Sequence, residues 1–207
     1  MPAELVGRAA IDAWQTALID SGLAPAQLDA TGRPRVAFGA PLPAPAEGEA
    51  ELAEIFLAER VPEWRVREAL ADRLPTGYEL LSAEDIWLGA PPLAGRVVAA
   101  DWRLELEGEG VDREALGAAA MRLLAAPSLP RTRSKGGEDK TYDLRPLLDD
   151  VRIVERTTPE AVTLLVRTRF RPELGSGRPE EVVAALAEAG GGDLRVRRMV
   201  RERLILA

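Results

Sequence analysis

The chain is 207 residues long, 46% hydrophobic and 29% charged, with a formal net charge of −7. That is the composition of a soluble globular protein long enough to bury a core. It contains neither cysteine nor histidine, which excludes disulfides, thiol catalysis, an iron–sulfur cluster held by this chain, a Ser-His-Asp triad and the commonest metal ligand.

In chain order, Ala3–Ser21 reads as an amphipathic helix. Leu5, Ala9, Ala13, Trp14, Ala17 and Leu18 fall on one face, and Gly22 stands where a C-cap glycine belongs. Glu4, Arg8, Asp12 and Asp20 interrupt the segment, so it lacks the apolar core of a signal peptide. No apolar run reaches the roughly 18 residues of a membrane span, and the expected compartment is the cytoplasm. Arg35–Phe38 predicts a short strand, "APLPAPAEGE" a Pro-rich loop, Leu52–Glu59 a second strand, Trp64–Leu74 a helix and Tyr78–Trp87 a third strand. The order is α-β-β-α-β.

The stretch "GAPPLAGR" (Gly89–Arg96) stops regular structure and marks a domain boundary. Charge changes across it, from net −8 over residues 1–95 to net +1 over residues 96–207. Two domains are expected, an acidic one at 1–92 and one with a basic sheet face at 93–207.

Beyond the boundary, Val97–Glu107 alternates. Val98, Ala100, Trp102, Leu104 and Leu106 face one side, against Asp101, Arg103, Glu105 and Glu107 on the other. Asp112–Ala126 predicts a helix with Asp112 as N-cap. Val151–Arg156 and Ala161–Phe170 predict two strands joined around "TTPE". Pro179–Ala189 predicts a helix closed by Gly190–Gly192, and Leu194–Leu206 a last strand. The order β-α-β-β-α-β is that of a ferredoxin-like split βαβ unit. The first half follows the same order without its first strand, and "VREALA" (Val66–Ala71) echoes "VAALA" (Val183–Ala187). The expected fold class is therefore α+β: two ferredoxin-like halves with antiparallel sheets, the first lacking its first strand. The four tryptophans, at 14, 64, 87 and 102, are assigned to cores.

Five segments in this order carry a family resemblance: "RPRVAFGAPLP" (Arg33–Pro43), "PTGYELLSAEDI" (Pro75–Ile86), "KTYDLRPLL" (Lys140–Leu148), "GRPEEVVAAL" (Gly177–Leu186) and "RVRRMVRERLIL" (Arg195–Leu206). Together they resemble the radical SAM-linked proteins, a bacterial domain of unknown function found alone or fused to cobalamin-dependent radical SAM proteins. Members of that family begin with a basic strand and carry an Asn-Pro-His-Pro-Arg turn. Here the turn reads Thr31-Gly32-Arg33-Pro34-Arg35, and the chain opens inside the first helix. Either it is a divergent member or a strand is missing ahead of the first helix. The resemblance implies an accessory or substrate-recognition protein of a radical SAM system, with a radical SAM protein as partner and a link to RNA modification.

The residues themselves single out a basic surface. "LPRTRSKGGEDKTYDLRPLL" (residues 129–148) gathers Arg131, Arg133, Lys135, Lys140 and Arg145 around Gly136–Gly137. Alternation puts Arg167, Arg169 and Arg171 on one face of their strand, and Arg195, Arg197, Arg201 and Arg203 on one face of theirs. These are the candidate RNA-binding residues, with the segment 129–148 closing over a phosphate-bearing ligand. The same segment also reads as a solvated hairpin tip, and the same arginines as internally paired, with the acidic first half or with Asp101, Glu105 and Glu107. Asp143 with Pro146 reads as a structural corner. There is no phosphate-loop motif, no EF-hand spacing and no expected cofactor or metal. The carboxylate neighbours Glu84–Asp85 and Asp149–Asp150 do not make an acid–base pair. The sequence thus leaves two readings: a non-catalytic accessory module contacting RNA, or a protein–protein interaction module whose arginine face is paired internally. An enzyme is the least supported class, for want of a nucleophile–base pair.

Overall fold

The computed structural model describes residues 7–108, 112–135, 138–158 and 161–207. The chain divides into two compact units, Met1–Val97 and Val98–Ala207. Both are mixed α+β, and among the described residues no helix is long and apolar enough to cross a membrane.

The first unit opens with α1 (Gly7–Asp20), which buries Ala10, Trp14, Gln15, Ala17 and Leu18. It ends at Gly22, whose φ of 72° is the left-handed conformation that glycine adopts without steric cost. Strand β1 (Val36–Phe38), the two-residue strand β2 (Glu47–Gly48) and strand β3 (Ala53–Ile55) follow. β1 and β3 pair antiparallel, Val36 opposite Ile55 and Phe38 opposite Ala53. Helix α2 (Glu63–Ala71) starts after Pro62 and buries Leu70, and the short helix α3 (Leu93–Arg96) comes last. The core gathers Trp14, Ala17, Leu18, Val36 and Leu70. Trp14 meets Phe38 and Tyr78 edge-on, with centroids 6.3 and 6.1 Å away. Burial pushes the Tyr78 hydroxyl up to about 12, with the charge of Glu51 adding to it.

The turn after α1 is held by one carboxylate. Asp29 accepts from the Thr31 hydroxyl at 2.6 Å, from the backbone N–H of Thr31 and Arg33, and from Gln15 Nε2 at 2.7 Å. The Thr31 hydroxyl and the Gln15 amide, with these backbone donors, hold the Asp29 carboxyl well below its ordinary range. Gln15 donates to the carbonyl of Pro34 as well, so Asp29 and Gln15 together fasten the turn Thr31-Gly32-Arg33-Pro34-Arg35.

Four expectations for this unit are corrected. Tyr78–Trp87 forms no strand, and the strand expected at Leu52–Glu59 shrinks to Ala53–Ile55. Tyr78 and Leu80 reach the core, but residues 79–87 meet no neighbouring strand, and a strand-type sequence without a ladder partner stays irregular. The expected split βαβ sheet of the first half is therefore replaced by a two-stranded one, β1 with β3. Trp64 and Trp87 do not pin a core: they are 66% and 79% exposed.

The second unit is built on β4 (Val97–Glu107), β7 (Leu148–Thr158), β8 (Ala161–Arg171) and β10 (Arg195–Leu206), in the spatial order β10-β4-β8-β7. β4 pairs antiparallel with β8, and β8 with β7. Ala100, Trp102, Leu104 and Leu106 of β4 are buried on the same side as Val162, Leu164, Val166 and Thr168 of β8. Over this apolar face lie α4 (Arg113–Ala125) and α5 (Pro179–Leu186). Val98 departs from the expected alternation: Ala99 is buried beside Ala100, and Val98 faces solvent. Asp112 caps α4, its carboxylate accepting from the N–H of Glu114 and Ala115. α5 runs into a turn at Ala187–Gly191 that breaks at Gly190.

Between α4 and β7 the chain folds back on itself. β5 (Pro130–Lys135) and β6 (Glu138–Asp143) form an antiparallel hairpin, with Arg131 opposite Tyr142 and Arg133 opposite Lys140. The segment is thus a paired ladder rather than an open loop. Gly136–Gly137 lies outside the described residues. The two-residue strand β9 (Gly175–Ser176) pairs with the end of β8.

Candidate functional site

The sheet face opposite α4 and α5 carries the charged residues of alternate positions. Asp101 is its centre. The register sets Asp101 directly across from Arg167. Arg167 donates from Nε to Oδ1 at 2.6 Å and from Nη2 to Oδ2 at 3.0 Å. Arg203, from β10 on the other side, donates from Nε to Oδ2 at 2.8 Å. Two arginines from the flanking strands thus share one carboxylate of the central strand. The hydrogen bonds from Arg167, joined by those from Arg203, hold the Asp101 carboxyl below its ordinary value against the opposing pull of burial. In return the Asp101 carboxylate raises the Arg167 guanidinium.

The pairing continues outward. Arg169 donates from Nε to Asp149 Oδ1 at 2.9 Å. Arg103 donates to Glu202 at 2.8 Å, and Arg198 lies 3.6 Å from Glu105. The face carries a set of opposite charges: Arg103, Arg167, Arg169, Arg198 and Arg203 each stand beside a carboxylate. It is not a continuous cationic strip.

Arg201 is the clearest correction. Alternation places it with Arg195, Arg197 and Arg203 on an open face, yet only 1% of it is exposed. Met199, Val200 and Arg201 are buried in succession, so the alternation of β10 breaks there. Its guanidinium lies over the Trp102 ring, 5.5 Å from the centroid.

Arg131 of the hairpin and Arg145 just after it are also tied down. Arg131 donates from Nη1 to both carboxylate oxygens of Glu188 at 2.7 Å. Its Nε and the neighbouring Tyr142 hydroxyl are buried with no hydrogen-bond partner among the described residues. Burial, then the charge of Glu181, raises the Tyr142 hydroxyl. Arg145 donates from Nη1 to the carbonyl of Leu148 and from Nη2 to that of Leu124, both at 2.7 Å, and so caps the end of α4. Asp143 closes the same corner: its Oδ1 accepts from the N–H of Leu129 at 2.7 Å and of Arg145 at 2.9 Å. Burial works to raise the Asp143 carboxyl, but these N–H groups and the Ser128 hydroxyl outweigh it and hold the carboxyl low. Pro146 sits in the turn Arg145–Leu147 that follows.

The other candidates are accessible. Lys140, Arg171, Arg195 and Arg197 are exposed and Arg133 is half-buried. Of these five, only Arg195 has an ion-pair partner among the described residues, Asp193 at 3.6 Å. The side chain of Lys135 lies outside the described residues. The structure therefore does not gather the described candidate cations into one patch. Sequence reasoning missed Glu188 and Glu202 as partners. Nothing local marks either: Glu202 sits in a run of arginines, and Glu188, in the turn after α5, is 57 residues from Arg131 in the chain.

An ion-paired sheet face on an α+β unit is what the site amounts to. The chain belongs to the bacterial family described as "Uncharacterized protein conserved in bacteria (DUF2344)", which matches residues 31–186. No curated protein is similar to the chain. Among solved structures, it is similar to a chain of the "Crystal Structure of a Cbf5-Nop10-Gar1 Complex", at 10% identity and a TM-score of 0.57. The match covers 99% of this chain and 46% of that one, and at this identity it is a likeness of fold alone.

Proposed function

We propose that the chain is a non-catalytic accessory module that works by binding a protein, its arginine face serving the second unit's own structure. The observation that carries this reading is Asp101 held between Arg167 and Arg203, with Arg169 on Asp149 and Arg103 on Glu202. Cations already matched by carboxylates release few counterions when they meet a phosphate backbone, and that release is the main source of affinity for nucleic acid. Among the described residues, the carboxyls that are shifted, Asp29, Asp101 and Asp143, are all lowered. A general acid is tuned the other way. The spatial order β10-β4-β8-β7 supports reading the second unit as a ferredoxin-like split βαβ fold with a hairpin inserted between α4 and β7. The resemblance to radical SAM-linked proteins supports a radical SAM protein as the partner, met in the cytoplasm.

A second reading, contact with RNA, draws on the cations that remain accessible: Arg133, Lys140, Arg171, Arg195 and Arg197. One experiment separates the two. Labelled bulk tRNA and rRNA fragments are titrated with the protein at low and moderate salt, beside an Arg133→Glu/Lys140→Glu/Arg197→Glu variant. The expected result is no saturable binding by either. Saturable binding that weakens with salt and disappears in the variant would replace the protein-binding reading with the RNA one.

A further inference from the structure

Residues 79–88 have the composition of a strand and the environment of a surface. Tyr78 and Leu80 are anchored against the core of the first unit. Beyond them the segment is irregular and open: Leu81 is 56% exposed, Trp87 79% and Leu88 90%. Apart from Asp85, whose N–H donates to Glu63 Oε1 at 3.1 Å, no backbone N–H from Glu79 to Trp87 has a partner among the described residues. The Arg60–Asp85 ion pair at 2.8 Å adds a second fastening to the start of α2, where Trp64 is 66% exposed. Arg60, Val61, Pro62, Glu63, Trp64 and Asp85 line a hollow of about 390 Å³ there. A tethered extended segment with free backbone donors and large apolar side chains is the raw material of strand addition.

The charges say what kind of strand fits. Between Tyr78 and Ala94 there are three carboxylates and no cation; Asp85 is taken up by Arg60, which leaves Glu79 and Glu84 for a partner. A second copy laid antiparallel over residues 79–88 would set Glu84 of each strand diagonally against Asp85 of the other with no cation on either strand, which disfavours pairing. A strand alternating Lys or Arg with Val, Ile or Leu would match both the acid and the apolar side chains. We infer that residues 79–88 are a docking segment that pairs with an extended, basic and apolar segment of a partner protein. This deepens the proposal that the chain works by binding a protein, and rests on it.

The test is selection of a phage-displayed random dodecapeptide library on the full chain. Hydrogen exchange is then measured on the full chain with the best synthetic peptide. Enriched peptides are expected to combine Lys or Arg with Val, Ile or Leu, to slow exchange at residues 79–87, and to lose at least tenfold in affinity on a Trp87→Asp/Leu88→Asp variant. Met121→Asp, at a residue 73% exposed in the second unit, serves as the control and is expected to bind as wild type. Peptides that protect a different surface, or that are acidic, would overturn the docking segment and leave the protein-binding reading standing. No enriched peptide, together with salt-sensitive RNA binding, would overturn both. Concentration-dependent dimerisation that protects residues 79–87 would assign the segment to a second copy of this chain and overturn the basic partner.

Discussion

The indole N–H of Trp102 donates to the hydroxyl of Thr168 at 3.0 Å, across the two central strands of the second unit. Both residues are almost wholly buried, at 3% and 0% exposure. A large aromatic in an aliphatic core needs one partner for its single polar atom, and Thr168 supplies it. Thr168→Val keeps the shape and removes the acceptor. The variant is expected to lose about 1–3 kcal/mol, the cost of an unpaired buried donor, read from its urea midpoint. Thr168→Ser, which keeps the hydroxyl, is expected to lose less.

Asp101 makes stability depend on acid. Its carboxyl is lowered in the folded protein from 3.8. A carboxyl lowered by folding contributes fully above its unfolded value and loses that contribution as pH falls through the folded one. Stability is therefore expected to decline from about pH 5 downward. Asp101→Asn is expected to cost about 2 kcal/mol at pH 7, the scale of a hydrogen bond to a charged group, and to flatten this decline. Urea titrations of both proteins from pH 7 to pH 2.5 measure it. An unchanged slope would mean that other carboxylates govern the acid limb.

Two glycines separate contact from freedom. A Cβ built on Gly177 would meet the carbonyl oxygen of Leu147 at 2.5 Å. Gly177→Ala is expected to destabilise by about 1–3 kcal/mol through overpacking against backbone. A Cβ on Gly117, inside α4, meets only Ile153 Cδ1 at 3.9 Å. Gly117→Ala is expected to stabilise by about 0.5–1 kcal/mol through helix propensity. Opposite shifts in melting temperature check the pair.

The corner at Asp143 and Arg145 is expected to behave as structure. Asp143→Ala leaves the N–H groups of Leu129 and Arg145 without their acceptor. A loss of about 1–3 kcal/mol is expected. Arg145→Lys is expected to lose stability too, because one ammonium cannot reach both the Leu124 and Leu148 carbonyls as the guanidinium fork does. If both variants melt like wild type while a binding activity is lost, the corner is a site and not a brace.

What the sequence determined by itself was periodic or local. The alternation from Ala100 to Glu107 and in Ala161–Phe170, the N-cap at Asp112 and the glycine stop at Gly22 each depend on neighbours within a few residues. The absence of cysteine and histidine needs no structure at all. The candidate cations were legible as a list, but not as a surface. Whether an arginine faces solvent depends on what the register sets opposite it, and that is a property of pairs of strands. Register gave Arg167 and Arg203 to Asp101, and the fold brought Glu188, in the turn after α5, to Arg131. A break in alternation turned Arg201 inward over Trp102. Tyr78–Trp87 went the other way for the same reason: its side chains suit a strand, but a strand exists only where a second one lies within hydrogen-bonding distance, and only the tertiary structure decides that.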